Sequence, residues 1–184
     1  MNTADAQHAS RRLEAPRHVQ TARLELRPFT LADHPAYARM CADPEVMRYV
    51  GVGNPNTPET TWRSMAGMLG HWELLGYGLW AVALRGGEVI GHAGYIDVLG
   101  WPGFELAWLL SREHWGQGYA REAAGAALKI AYDTLQRDRV ISLIRPANAP
   151  SIRLAQALGA QREGTTEVMG GPAELFVHSK GAAA

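Results

Sequence analysis

The chain has 184 residues, of which 47% are hydrophobic and 20% charged. This is the length and composition of one globular domain of ordinary size. Eighteen Lys and Arg residues balance eighteen Asp and Glu residues, so the formal net charge at pH 7 is zero. No overall field attracts nucleic acid or an anionic membrane surface, and neither is expected as a partner. A polyanionic ligand would therefore need local donors, such as the amides of loops and helix ends.

Cysteine and histidine usage excludes several kinds of site. The single cysteine, Cys41, cannot form a disulfide within the chain, and we interpret it as a small buried hydrophobe. The seven histidines show no HExxH or other metal-ligand spacing, so no metal is expected. The N-terminus lacks the apolar segment of a signal peptide, and no apolar run has the length of a membrane span. A cytoplasmic location is the expectation.

The N-terminal segment differs from the rest of the chain. Residues 1–20 are polar and show no periodicity, which predicts a flexible tail. No linker interrupts the remainder, so a single domain is expected over residues 21–180.

The first part of this domain is predicted to form one strand and then helices. Apolar and charged residues alternate over residues 23–27, which is the period of a strand. Residues able to cap a helix follow at Thr30, Asp43 and Thr57. The third helix is expected to end at Gly76. Its apolar face consists of Trp62, Met65, Met68, Leu69 and Trp72.

The second part begins with an antiparallel meander. Three strands are predicted over residues 79–84, 88–98 and 104–110, with turn signals between them. The elements predicted after the meander are a helix over 117–135, a strand over 140–144, a helix over 150–158 and strands over 161–168 and 174–179. This order indicates a mixed α/β or α+β domain with one central sheet.

The most informative segment joins the third meander strand to the following helix. Its sequence, over residues 114–123, is HWGQGYAREA. Gly116 and Gly118 allow a close backbone approach, and free amides at a helix N-terminus favour an anion. The pattern indicates a phosphate or pyrophosphate site without lysine. It is neither a Walker motif nor a dinucleotide fingerprint, because neither GK[ST] nor a third glycine follows. A tight turn that binds no ligand and needs glycine only for steric reasons explains Gly116 and Gly118 equally well.

Two longer stretches resemble a known family. Residues 104–123, FELAWLLSREHWGQGYAREA, resemble the acetyl-CoA signature of the GCN5-related N-acetyltransferases (GNAT). More narrowly, they are similar to the ribosomal-protein N-terminal acetyltransferase (RimJ/RimL-like) branch. Residues 148–159, NAPSIRLAQALG, resemble the Asn-x-x-Ser helix of that branch, and the opening segments TARLELRP and DPEVM match it too. The similarity extends over about residues 21–180.

The resemblance implies a fold, a co-substrate and a set of contacts. The fold is a central mixed, mostly antiparallel sheet, with a V-shaped splay between two parallel strands and helices on its faces. The co-substrate is acetyl-CoA, whose pantetheine arm would add to the sheet like a strand. The pyrophosphate would sit on the amides of residues 116–121. The residues expected to contact acetyl-CoA are Leu106, Trp108, Leu109, Leu110, Trp115, Gly116, Gln117, Gly118, Tyr119, Ala120, Arg121, Asn148 and Ser151.

Two positions depart from the family pattern. Trp115 stands where the family usually has Gln or Arg, a replacement common in this branch. Ala155 stands where many relatives have a tyrosine acid. Protonation of the departing thiolate must then involve another group or water, and the resemblance places Ser151 near the thioester.

Glu105 is the candidate base. It lies in an otherwise apolar strand, where a carboxylate needs a partner or a raised pKa. It could take a proton from the attacking ammonium, directly or through water. An ion pair or a carboxylate at a strand end is the alternative. His92, Tyr95 and Asp97, on or near the middle meander strand, are further candidates for the acceptor pocket.

The predicted function is transfer of an acetyl group from acetyl-CoA to a primary amine by direct attack. A non-catalytic acetyl-CoA sensor would share the binding residues but lack turnover. A nucleotide-binding protein is a third interpretation, without a Walker lysine to support it. The acceptor stays open between a protein N-terminus, a polyamine, an amino acid and an aminoglycoside, and the resemblance favours a protein α-amine. The oligomeric state is open too, and a homodimer is one expectation because dimers are frequent among similar proteins.

Overall fold

Residues 13–180 are described by the structure, a computed structural model. Eight strands form one sheet in the order β1-β2-β3-β4-β5-β6-β8-β7. The strands are Val19–Gln20 (β1), Leu24–Arg27 (β2), Leu79–Leu84 (β3), Val89–Ile96 (β4), Glu105–Leu110 (β5), Val140–Ile144 (β6), Ala160–Val168 (β7) and Gly171–His178 (β8). The α-helices are His34–Cys41 (α1), Pro44–Met47 (α2), Pro58–Leu75 (α3), Tyr119–Asp133 (α4) and Ala149–Ala157 (α5).

The sheet contains one parallel contact. Every other neighbouring pair of strands is antiparallel, whereas β5 and β6 run parallel and share only the register pair Glu105 and Ile141. Beyond that pair the two strands separate. The structure therefore confirms a mixed, mostly antiparallel sheet with a splay between two parallel strands, flanked by helices.

Two apolar layers cover opposite faces of the sheet. On one face, alanines of α4 pack on side chains that include Leu106 and Leu110. On the other, α1 and α3 pack on residues that include Ala81 and Leu109. Successive side chains of a strand point to opposite faces, which is why β5 serves both layers.

Cys41 is buried in the second layer, and burial raises the pKa of its thiol to about 11. The structure thus confirms its interpretation as a buried hydrophobe. No helix within residues 13–180 is long and apolar enough to cross a bilayer.

The helices and strands predicted from periodicity are present, with ends shifted by a few residues. The N-terminal segment differs from the expectation of a tail over residues 1–20. Ala15 is buried and its amide donates to the Gly76 carbonyl at 2.9 Å, while Val19–Gln20 forms β1. These contacts involve mainly backbone groups, so the side-chain pattern gave no sign of them. Residues 1–12 of the expected tail lie outside the described residues.

The close approach of β4 to β5 generates a stability prediction. A β-carbon at Gly91 would overlap the carbonyl oxygen of Leu109, whereas one at Gly67 in α3 would meet no atom within 4 Å. We expect Gly91→Ala to lower the free energy of unfolding by about 1–3 kcal/mol or more, as overpacking does. Gly67→Ala should raise it by about 0.5–1 kcal/mol, because alanine restricts the unfolded chain and favours helix. Urea unfolding of both variants checks this; a stable Gly91→Ala protein would contradict the close contact.

Candidate active site

A cleft of about 1070 Å³ opens where β5 and β6 separate. Its walls come from β5, β6, the loop before α4, the start of α5, the segment between α2 and α3 and the β7–β8 hairpin. The expected acetyl-CoA residues that line it are Leu106, Trp108, Leu109, Leu110, Trp115, Gly116, Gly118, Tyr119, Ala120, Arg121, Asn148 and Ser151. Glu105 lines it as well. Gln117 is the expected contact residue that does not line the cleft. Its side-chain amide donates to the Glu113 carbonyl at 2.8 Å.

Side chains bridge the two strands where their backbones separate. The Ile141 amide still donates to the Phe104 carbonyl at 3.0 Å. One step further along, the Leu143 amide donates to Oε1 of Glu105 at 3.2 Å, and Oγ of Ser142 donates to the Leu106 carbonyl at 2.6 Å. Buried backbone groups need partners, and here side chains supply what the ladder no longer does.

The Glu105 carboxyl group is buried and accepts hydrogen bonds from two donors. Only 6% of the residue is exposed, and Oε2 accepts a hydrogen bond of 2.6 Å from Nε1 of Trp101. Burial raises the pKa of Glu105 to about 7, although the hydrogen bonds from Trp101 and the Leu143 amide act to lower it. Burial disfavours the charged form more than two neutral donors stabilise it. A pKa of about 7 means that the protonated and ionised forms of Glu105 are close in free energy at neutral pH.

The loop before α4 has the backbone that its glycines predicted. Gly116 and Gly118 have φ angles of 73° and 80°, in the left-handed region that favours glycine. Gly118 is the N-cap of α4, and no side chain caps the helix there. Trp115 is 47% exposed and its Nε1 donates to the Leu110 carbonyl at 2.8 Å. The first amides of α4 are thus available to an anion.

Thr21 and Arg23, which lie just before β2, hold this loop by hydrogen bonds to Glu122 of α4 and to the loop backbone; we call these contacts the clamp. Oε1 of Glu122 accepts from Oγ1 of Thr21 at 2.6 Å and from the Arg23 amide at 2.7 Å, and Oε2 accepts from Nε of Arg23 at 2.6 Å. The Arg23 guanidinium also donates to the Gln117 carbonyl at 2.9 Å and lies 4.4 Å from the Tyr119 ring centroid. Neither Arg23 nor Glu122 was predicted as a site residue. Arg23 belongs to the family-like TARLELRP segment and Glu122 to the family-like segment over residues 104–123, but neither pattern pairs the two residues.

The start of α5 shows that Asn148 has a structural role. Its Oδ1 accepts a hydrogen bond of 3.3 Å from the Ser151 amide, which caps the helix. Ala155, at the position of the tyrosine acid in many relatives, is fully buried in a small cluster with Ile144. The tyrosines that line the cleft are Tyr49 and Tyr119. Tyr49 was not predicted, because nothing local in its sequence marks it.

The three further candidates from the middle meander strand are not brought together. His92 lines the cleft; its Nδ1 is 2.6 Å from the Tyr37 hydroxyl, and burial lowers its pKa to about 4. Tyr95 donates to the Ala127 carbonyl on the α4 face. Asp97 accepts from the Tyr77 hydroxyl, outside the cleft. Alternation along the strand explains the separation of His92 from Tyr95.

A family model described as "Acetyltransferase (GNAT) domain" matches residues 23–161. The chain belongs to this family. It is accordingly an acetyltransferase, and the matched range spans both β5 and the loop before α4. Within residues 13–180 of this GNAT protein, no group of three or more His, Cys, Asp or Glu residues is arranged to hold a metal ion.

Individual relatives agree with the family. A Bacillus licheniformis protein named "Uncharacterized N-acetyltransferase p20" is 32% identical over 149 residues, which cover 79% of this chain and 83% of that protein. The crystal structure of an acetyltransferase from Agrobacterium tumefaciens has a TM-score of 0.79 and 32% identity, with 89% of this chain and 94% of the other covered. Mycobacterium smegmatis RimJ, solved in complex with CoA-disulfide, has a TM-score of 0.71. At 19% identity, with 93% and 89% of the chains covered, RimJ is similar in fold.

Asn148 allows the helix cap to be separated from ligand binding. Asn148→Ala removes the capping oxygen and should lower the free energy of unfolding of the ligand-free protein by about 0.5–2 kcal/mol. Asn148→Asp keeps an oxygen acceptor and should leave that stability nearly unchanged. If the Asn148 amide group also donates to acetyl-CoA, both variants should bind it more weakly. Thermal melts and calorimetric titrations on the same samples measure both effects; an Ala variant of normal ligand-free stability would contradict the cap.

Proposed function

We propose that this GNAT protein transfers the acetyl group of acetyl-CoA to a primary amine by direct attack, with Glu105 as the base. The observation that carries the proposal is the position of Glu105. A buried carboxyl group with a pKa of about 7 lies where β5 and β6 part, and it lines the cleft. Such a group accepts a proton at neutral pH and releases it again.

Two independent features of the cleft support acetyl-CoA as the co-substrate bound there. Because β5 and β6 pair only at Glu105 and Ile141, the edge of β5 beyond that point is free of a ladder to β6. An extended pantetheine arm can add to such an edge through main-chain hydrogen bonds, alongside Leu106 to Leu110. At the end of β5, the loop with Gly116 and Gly118 presents amides at the start of α4 to a pyrophosphate.

The burial of the one cysteine supports direct attack over a thioester intermediate on the enzyme. The one cysteine of the chain is buried among α1 and α3 residues with its pKa raised to about 11, and it does not line the cleft. A thiol of this kind does not serve as a nucleophile at neutral pH. The amine would therefore attack the thioester carbonyl itself, while Glu105 accepts the ammonium proton directly or through water. The departing thiolate would take its proton from water or from a hydroxyl, with Ser151 at the start of α5 as the proposed group.

A non-catalytic sensor is the competing proposal. It would use the same β5 edge and the same glycine loop, and Glu105 would then only bridge β5 and β6 through the Leu143 amide, so that its raised pKa would have no role in a reaction. Turnover of acetyl-CoA with any amine, measured by thiol release, distinguishes an enzyme from a sensor.

Acetyl-CoA should stabilise the folded protein through the loop before α4. At a hundred times its dissociation constant, a ligand adds about 2.7 kcal/mol by mass action. Gly118→Pro removes an amide and requires φ near −65°, so the stabilisation by acetyl-CoA should be lost. Gly86→Pro is the matched control, because Gly86 has a φ of 70° in the β3–β4 turn, away from the cleft. Both variants are expected to melt earlier, but Gly86→Pro should keep the acetyl-CoA shift; a normal shift in folded Gly118→Pro would disprove the placement.

Glu105 should control the pH dependence of the reaction. Below pH 7 its carboxyl group is protonated, so kcat/KM should fall as pH decreases through about 7. Glu105→Gln should reduce kcat by about 10²–10⁴-fold and abolish that part of the profile, with acetyl-CoA affinity nearly unchanged. Glu45→Gln removes another carboxylate of the cleft and should keep the profile. Wild-type turnover by the Glu105→Gln variant at saturating substrates would exclude Glu105 as an essential base.

A further inference from the structure

Arg145 ties together two walls of the cleft. It follows the last residue of β6, and its guanidinium donates to the Pro172 carbonyl at 3.1 Å and to the Gly51 carbonyl at 2.8 Å. Pro172 belongs to the β7–β8 hairpin, and Gly51 lies in the segment between α2 and α3. The two hydrogen bonds use two of the five N–H groups of the guanidinium. Arg145 is also one of the residues that line the cleft.

The charge of Arg145 has no acid beside it. The residue is half-buried, and among residues 13–180 no Asp or Glu lies within ion-pair distance of it. Backbone carbonyls orient the guanidinium but do not neutralise it. A half-buried cation of this kind gives the adjoining space a positive potential and favours an anionic ligand, which a guanidinium can bind through two parallel hydrogen bonds.

Arg145 and Glu105 lie on the same side of the sheet. Glu105 is in register with Ile141, and side chains alternate along β6, so Ile141, Leu143 and Arg145 share the face of Glu105. The Leu143 amide binds Glu105 directly. Two further residues of a strand add about 7 Å. One molecule could therefore place an amine at Glu105 and an anionic group at Arg145 only if several bonds separate them.

The other charges of the cleft agree with an anionic acceptor. The charged side chains that line it are Glu45, Arg48, Glu105, Arg121, Arg145 and Arg153. Arg121 and Arg153 belong to α4 and α5, on the side proposed for acetyl-CoA. Around the acceptor, Glu45 already faces Arg48 at 3.8 Å, which leaves Glu105 as the one carboxyl group without a cation beside it among these residues. A polyamine or an aminoglycoside needs several carboxylates, which this cleft does not offer.

We propose that the acetyl acceptor is a primary amine that carries an anionic group several bonds from its nitrogen, and that Arg145 binds this group. The inference rests on the function proposed above and narrows its acceptor. The anionic group is a carboxylate or a phosphate-like group, both of which match the geometry of a guanidinium.

The test compares matched amines at saturating acetyl-CoA. Each ω-amino acid from β-alanine to 6-aminohexanoate is paired with the n-alkylamine of the same chain length, and kcat/KM is measured for both. The wild type should prefer the longer anionic amines by about 10- to 100-fold, the range expected of hydrogen bonds between charged groups. An ω-aminoalkylphosphonate of the same length distinguishes phosphate-like groups from carboxylates. Equal rates within each pair, or preference for a diamine, would overturn the proposal.

Variants assign the preference to one residue. Arg145→Gln should abolish it, Arg145→Lys should keep part of it, and Arg48→Gln, the matched arginine of the same cleft, should keep it. A preference that survives in Arg145→Gln would overturn the role of Arg145. If Arg145→Gln does not fold, the Lys variant decides, because the loss of the guanidinium fork should reduce the preference while the charge remains.

A binding measurement separates this inference from the proposed function. Calorimetry compares N-acetyl-6-aminohexanoate with N-pentylacetamide, a pair that differs in the carboxylate and needs no turnover. Tighter binding of the acid by the wild type, lost in Arg145→Gln, supports the anion site even if no amine is acetylated. Equal binding would overturn the inference even if the protein proves to be an N-acetyltransferase.

Discussion

The separation of β5 from β6 after a single backbone pair is the constraint on which the rest of this structure depends. A parallel ladder broken in the interior leaves amides and carbonyls without partners, and such groups are costly when buried. Two side chains supply the missing partners: Glu105 of β5 accepts from the Leu143 amide, and Ser142 of β6 donates to the Leu106 carbonyl. The cleft therefore stays open because side chains fill the positions that backbone groups would otherwise take.

The side chains that bridge the two strands also bring titratable groups into a buried environment. The carboxyl group that bridges the splay is buried by the same packing, and its pKa is raised to about 7 for that reason. The bridge from Ser142 continues to Nε2 of His178 at 2.9 Å, and burial lowers the pKa of that histidine to about 4. A carboxyl group with a raised pKa on β5 and an imidazole with a lowered pKa on β8 are thus the titratable groups linked to the two bridges. The environment of each group, rather than its residue type, sets its charge.

The two ends of the cleft are held by contacts across the chain. At the loop before α4, Glu122 of that helix receives three hydrogen bonds from Thr21 and Arg23, just before β2. At the other end, Arg145 joins the α2–α3 segment to the β7–β8 hairpin. In both places an arginine fixes a loop by donating to a backbone carbonyl. The difference lies in charge, since Arg23 is neutralised by Glu122 whereas Arg145 has no acid beside it among the described residues.

The order of helices and strands, the glycine turn before α4 and the family were predictable from the sequence alone, because these depend on local signals. Alternation, caps and glycines act within a few residues, and the segments of residues 104–123 and 148–159 carry the family pattern directly. The sequence also marked Glu105, since a carboxylate in an apolar strand is conspicuous. Contacts in the folded chain set how that group is held and which of the candidates around β4 reaches the cleft. They also set that β1 joins the sheet and that Ala15 packs in the core. The clamp between Arg23 and Glu122 joins residues 99 positions apart. The absence of an acidic partner for Arg145 depends on where every nearby acid of the described chain lies. Burial and pairing of this kind arise between distant segments, so no local pattern of residues encodes them.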